Sequence, residues 1–119
     1  MQQVVPVLRI TDYERSKAFY VDGLGFTIDW EHRFEPHFPV FVQLTRDGMT
    51  IDLSQHKGDC TAGGLVLFYV PNVDEWYHEL VDKGVSVKEP PNECLPGLRD
   101  MTLVDPDGNT IRICTRLND

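Results

Sequence analysis

Apolar positions along this chain fall in short runs separated by Gly, Pro, Asp and Asn, and the period of each run predicts an element. Residues 4–10 form an apolar stretch of strand length. Thr11 or Asp12 then offers a side-chain oxygen to cap a helix, along which Tyr13, Lys17 or Ala18, Tyr20, Val21 and Leu24 recur near the 3.6 period, with Glu14 and Arg15 outward. Gly23 and Gly25 stop that helix. Residues 26–31 alternate as a second strand, and residues 32–39, with two prolines, read as a loop. Residues 40–45 and 49–53 flank Asp47-Gly48, a hairpin signal because Gly supplies positive φ without steric cost.

The second half repeats the first. Residues 54–64 read as a linker and 65–70 as a strand. Asn72 caps a helix to residue 83 with Val73, Tyr77, Leu80 and Val81 inward and His78 outward, closed by Gly84. Residues 85–88 form a short strand, 89–97 a loop with three prolines, and 99–115 a closing hairpin about Asp107-Gly108. Asp47, Gly48, Thr50 and Ile51 match Asp107, Gly108, Thr110 and Ile111 at one constant offset of 60, as Ile10 matches Val70 and Asp12 matches Asn72. Such a period marks a duplicated unit. The predicted fold is α+β: two tandem β-α-β-β-β units forming a cupped, partly open eight-stranded mixed sheet. It is a single domain, with unit one at about 3–57, a linker at about 58–64 and unit two at about 65–117. One helix covers only one face of a four-stranded sheet, so the uncovered, concave side is the natural ligand surface.

Charge narrows the partners. The 119 residues carry a net charge of −8, which disfavours nucleic acid and suits a cationic ligand or simple solubility. No apolar run approaches the roughly 20 residues of a membrane helix, and residues 1–4 do not open like a secretory leader. Cys60, Cys94 and Cys114 are odd in number and lack metal-type spacing, so free, unreactive thiols in a reducing cytoplasm are expected.

The opening from Val7-Leu8-Arg9-Ile10-Thr11-Asp12 to Ala18-Phe19-Tyr20 and Leu24-Gly25-Phe26, with the closing Asp105-Pro106-Asp107-Gly108-Asn109, resembles the vicinal oxygen chelate superfamily. That superfamily contains glyoxalase I, extradiol dioxygenases, fosfomycin-modifying enzymes and bleomycin resistance proteins. The resemblance covers essentially the whole chain. Its metal enzymes use His or Glu near the start of each unit and Glu on each unit's last strand; those positions fall here on Val5, Asp52, Leu65 and Arg112. Val and Leu have no lone pair and Arg is a permanent cation, so only Asp52 could ligate. The resemblance therefore implies the metal-free, bleomycin-resistance-like branch, with no cofactor: small, acidic homodimers that sequester a drug in a groove at the subunit interface. For Asp52 and Arg112 the alternatives are an ion pair in the metal's place or separate hydration.

The candidate ligand-binding residues are Trp30, His32, Phe34, Phe38, Phe41, Asp52 and Arg112, whose rings could stack on a heteroaromatic or cationic group. Glu31, Glu35, Asp52 and Asp59 could complement its charge. The rival readings are a metal-dependent lyase, isomerase or dioxygenase with non-standard ligands drawn from His32, His37 and His56, and an accessory module that senses or delivers a metabolite. Arg9 and Arg112 would instead suit a small anion. No thiol nucleophile is expected at Cys60 or Cys94.

Overall fold

A computed structural model describes residues 2–117, apart from the side chain of Cys94, so the expectation for that thiol lies outside the described residues. The element order is β1 (Val7–Arg9), α1 (Tyr13–Lys17), a π-helical segment (Ala18–Gly23), β2 (Thr27–His32), β3 (Phe41–Arg46), β4 (Met49–Ser54), β5 (Leu65–Tyr69), α2 (Val73–Asp82), β6 (Glu89–Leu95), β7 (Leu98–Val104) and β8 (Thr110–Arg116). The strands form two four-stranded sheets of the same order, β1-β4-β3-β2 and β5-β8-β7-β6. In each, the first pair is parallel and the others antiparallel. The α+β fold is as expected, with its eight strands divided between two hydrogen-bonded sheets.

Register bears out the repeat. Val7 lies opposite Asp52 and Leu67 opposite Arg112, both pairs displaced by 60 positions. Across the hairpins the offset slips by one: Gln43 faces Asp52, but Thr102 faces Arg112. The cause is the turn. Asp47 and Gly48, at φ 50° and 80°, close the first hairpin in two residues, whereas residues 105–109 close the second.

Each helix begins as its cap dictates. The Asp12 carboxylate accepts from Arg15 N, and Asn72 Oδ1 accepts from Asp74 N and Glu75 N. Tyr13, Ser16, Tyr20 and Leu24 face the core, while Ala18 is exposed and Lys17 only half-buried. The π-helical bonds, such as Leu24 N to Phe19 O, add a residue to the turn and shift the stripe from the straight α-helical reading. On α2 the buried stripe is Val73, Trp76 and Leu80; Tyr77 is half-buried and Val81 exposed, contrary to expectation. The large indole of Trp76 takes the inward position and turns Val81 to solvent.

Two expectations for the second unit fail together. Residues 85–88 are not a strand, and the proline-rich stretch read as a loop is β6. Pro90 and Pro91 are tolerated because β6 is an edge strand and its register breaks between Glu89 and Asn92.

The sheets' inner faces and the helices share one core, in which Phe26 meets Phe68 at 5.6 Å between centroids. Each hairpin also grips the other unit. From the first, Arg46 stacks over Trp76 at 3.6 Å, donates to Glu79 Oε2 and Oε1 at 2.8 and 3.0 Å, and donates to Leu24 O. From the second, buried Asn109 donates to Arg9 O and Asp105 Oδ2 and accepts from Gly63 N and Gly64 N, while Tyr20 donates to Asp105 Oδ2 at 2.7 Å. Burial and the adjacent Asp105 push the Tyr20 hydroxyl far above its usual range, so it stays a donor. The chain is elongated, 48 × 31 × 23 Å, with a radius of gyration of 14.6 Å against about 13.5 Å for a compact chain of this length.

Candidate functional site on the open face of the first sheet

Strand alternation separates core from open face. Val42, Leu44, Ile51 and Leu53 point into the core; Phe41, Gln43, Asp52 and Ser54 point to the other side. On β2 a simple alternation would place Trp30 beside core-facing Ile28. A bulge at Asp29 breaks it: Ile28 pairs with Leu44 and Trp30 with Gln43, which brings the indole onto the open face. Asp29 accepts from Thr45 Oγ1 at 2.5 Å, holding the bulge. Trp30 then stacks on Phe41, centroids 5.9 Å apart and planes 10° apart.

Asp52 stands at the centre of this face, on β4 between β1 and β3. It is only 8% exposed and accepts one hydrogen bond, from Gln43 Nε2 at 3.0 Å. Burial pushes its carboxyl above the usual range and nearby Asp29 adds to that, while the Gln43 bond pulls the other way. Among the described residues no ion pair joins Asp52 to Arg112, so of the two alternatives the salt bridge is not formed within the chain. Arg112 is exposed on the second sheet's open face, among half-exposed Leu65, Leu67 and Tyr69. Arg116 covers the Tyr69 ring at 4.5 Å.

The other aromatic candidates divide into two groups. His32, Phe34 and Phe41, with His56 and Asp59, line a hollow of about 240 Å³ at one end of the first sheet. Phe38 and His37 line a different depression with Thr11, Arg33, Pro39 and Gln55. The loop bends because Phe38 N donates to Glu35 O and Arg33 Nη1 to Phe38 O, which turns residues 37 and 38 away from the hollow. Of the four acids, Asp52 and Asp59 are at or beside the open face. Glu31 faces the helix side, accepting from the Tyr13 hydroxyl at 2.5 Å, and Glu35 lies on the exposed loop. His56 and Asp59 join the site through Ser54, whose Oγ accepts from His56 N and donates to Asp59 Oδ2.

A metal does not fit the positions the superfamily uses. Val5 precedes β1, Leu65 begins β5 and Arg112 is cationic, which leaves Asp52 as the one donor. The three histidines do not converge either: His37 lies in the other depression, and among the described residues no group of three or more His, Cys, Asp or Glu could hold an ion. Burial raises the Cys60 thiol, with Asp59 adding to it, so it is not activated.

The arrangement can therefore stack a planar group and neutralise a positive charge beside it. Comparisons with known proteins bear on this. A family model described as glyoxalase superfamily protein matches residues 1–119. This chain belongs to the glyoxalase superfamily. The Bacillus subtilis protein YraH is 30% identical over 118 residues, covering 89% of this chain and 91% of that one. The solved structure of TnmS3, an antibiotic-binding protein from a Streptomyces species, matches with a TM-score of 0.74 at 25% identity, covering 97% of each chain. A bleomycin resistance determinant encoded on transposon Tn5 matches with a TM-score of 0.76 at 22% identity, covering 98% of each; at that identity the likeness is one of fold. No helix among the described residues is long and apolar enough to cross a membrane.

Proposed function

We propose that this superfamily member is a metal-free binding protein that holds a cationic, aromatic small molecule on the open face of its first sheet and releases it unchanged. The observation that carries this reading is the Trp30–Phe41 stack beside a carboxylate, Asp52, that is buried and whose partner among the described residues is the neutral Gln43. A planar ligand ring extends the stack. A ligand cation satisfies Asp52, whose ionised form is otherwise disfavoured. TnmS3, an antibiotic-binding protein of the same fold, supports small-molecule binding.

The working form is a homodimer. The first sheet's face, centred on Asp52, and the second's, centred on Arg112, are complementary, and a two-fold axis lets each copy offer both at once. Leu65, Leu67 and Tyr69 would then leave solvent, and the partner's second sheet would close the ligand groove. Sedimentation tests this part: the Arg112→Glu variant sediments as a monomer where the native chain is a dimer.

Calorimetric titration with bleomycin, a cationic antibiotic bearing aromatic rings, tests the function. Saturable binding is expected at one site per chain, and mass spectrometry recovers the drug unmodified. A ligand present at a hundred times its dissociation constant stabilises the fold by about 2.7 kcal/mol. A modified product, or stoichiometric transition metal in protein purified without chelator, overturns the reading in favour of an enzyme.

A further inference from the structure

The hollow at the end of the first sheet has a construction of its own. His32 is the last residue of β2, Phe41 the first of β3 and Ser54 the last of β4, and the three lie side by side in the register. Phe34, two residues past His32, stands perpendicular to the His32 imidazole, at 4.6 Å and 86°. It is also perpendicular to the His56 ring, at 6.0 Å and 82°. Phe41, backed by Trp30, is the fourth wall. The turn at residues 56–59 returns Asp59 to the rim: Asp59 N donates to His56 O, and Asp59 Oδ2 accepts from Ser54 Oγ at 2.6 Å. Among the described residues no lysine or arginine lines the hollow; Arg9, beside Ser54 in the register, is turned to Gln55 O.

Four rings and one carboxylate set narrow chemical limits. Aromatic faces attract positive charge through their quadrupole but accept hydrogen bonds poorly. A primary ammonium carries three N–H donors and a tightly held water shell, while Phe34 and Phe41 offer it no acceptor. Asp59 Oδ2 is already bonded to Ser54, which leaves the His32 and His56 ring nitrogens and the second Asp59 oxygen to share. A fully methylated ammonium has no N–H to satisfy and sheds its water readily. An anion meets Asp59 and is repelled. Taking the open-face reading as given, we infer that this hollow is an aromatic cage for a methylated ammonium group, so the ligand carries such a head beside its planar ring or a separate ligand supplies it.

Choline and its uncharged carbon analogue 3,3-dimethylbutan-1-ol distinguish cation recognition from simple apolar fit. Titrated by calorimetry or ligand-observed NMR, choline binds saturably and the analogue about tenfold more weakly or less. Phe34 is 71% exposed, so Phe34→Ala leaves the core intact; it weakens choline binding about tenfold, and Asp59→Asn weakens it to a smaller degree. Equal binding of choline and the analogue, or an unchanged Phe34→Ala variant, overturns the cage. Parallel titration with bleomycin separates the two proposals. Bleomycin binding without choline binding leaves the open-face reading standing and removes the cage; choline binding alone does the reverse.

Discussion

At the centre of the first sheet's open face stands Asp52, and at the matching place on the second stands Arg112. Around Asp52 are Trp30, Phe41 and Gln43; around Arg112 are Leu65, Leu67 and Thr102. The strand order, the parallel first pair and the 60-residue spacing are common to both sheets, so the backbone does not create this difference. Side chains on one face do. Inner faces must fill a common core and stay apolar, whereas open faces are free to diverge. The duplicated scaffold thus carries one surface centred on Asp52 with Trp30 and Phe41, and one centred on Arg112 with Leu65, Leu67 and Tyr69. The first is equipped for a cationic ligand and the second for covering it.

The hairpins make the converse point, since each unit holds the other by a different device. The largest effect is expected from breaking the second grip. Asn109→Ala leaves Gly63 N, Gly64 N and Arg9 O without their partner and removes one from Asp105. Chemical denaturation should report a loss of about 3 kcal/mol or more. A loss near zero would mean the units are not joined there.

A second measurement sharpens the contrast between faces. Asp52→Asn keeps the acceptor for Gln43 but removes the charge, and is expected to weaken bleomycin binding about tenfold. Arg112→Gln, at the matching position on the covering face, should weaken it less. If both variants lose affinity equally, the two faces are not functionally distinct.

The first grip is the weaker one. Arg46 holds the Glu79 carboxyl below its usual range, chiefly through their hydrogen bonds, so this pair stabilises the fold at neutral pH and the contribution fades as acid protonates Glu79. Glu79 is 37% exposed, and Glu79→Gln leaves Arg46 its contacts with Leu24 O and Trp76. A loss of about 1 kcal/mol is expected in denaturation at neutral pH, shrinking toward acid.

Much of this was legible in the chain. The Asp-Gly turns and their common spacing disclosed both hairpins and the duplication, because turn chemistry is local. Asp52 was legible too, through the superfamily resemblance, which puts one of its four metal positions there. Other features depended on contacts distant in sequence. Trp76 takes the inward place on α2 under Arg46 of the other unit, and with Val73, Trp76 and Leu80 on one face Val81 falls off the stripe. Pro90 and Pro91 could join a strand because β6 is at an edge, which local sequence does not encode. Trp30 reached the open face through a bulge that alternation alone would not foresee. Glu31, by contrast, carried a readable signal: it alternates with Trp30 and His32 and so belongs on the other side. His56 and Asp59 joined the hollow through Ser54, a link between a strand end and a linker that spacing does not announce.

The smallest predicted effect is on stability against pH. The folded chain holds the Asp52 proton more tightly than the unfolded chain, so this group's contribution is fully favourable below the ordinary carboxylate value of about 4. It declines as pH rises from there through the raised folded value, and Asp52→Asn removes that decline. A bound cation favours the ionised carboxylate and reverses the sense, so affinity climbs over the same interval.

The most direct test of the account is therefore the affinity for bleomycin, measured by calorimetry across that interval in the native chain and in Asp52→Asn. Affinity that rises with pH in the native chain and stays low and flat in the variant is the predicted result. Identical, pH-independent affinities would contradict the claim that Asp52 on the first sheet's open face holds a cation.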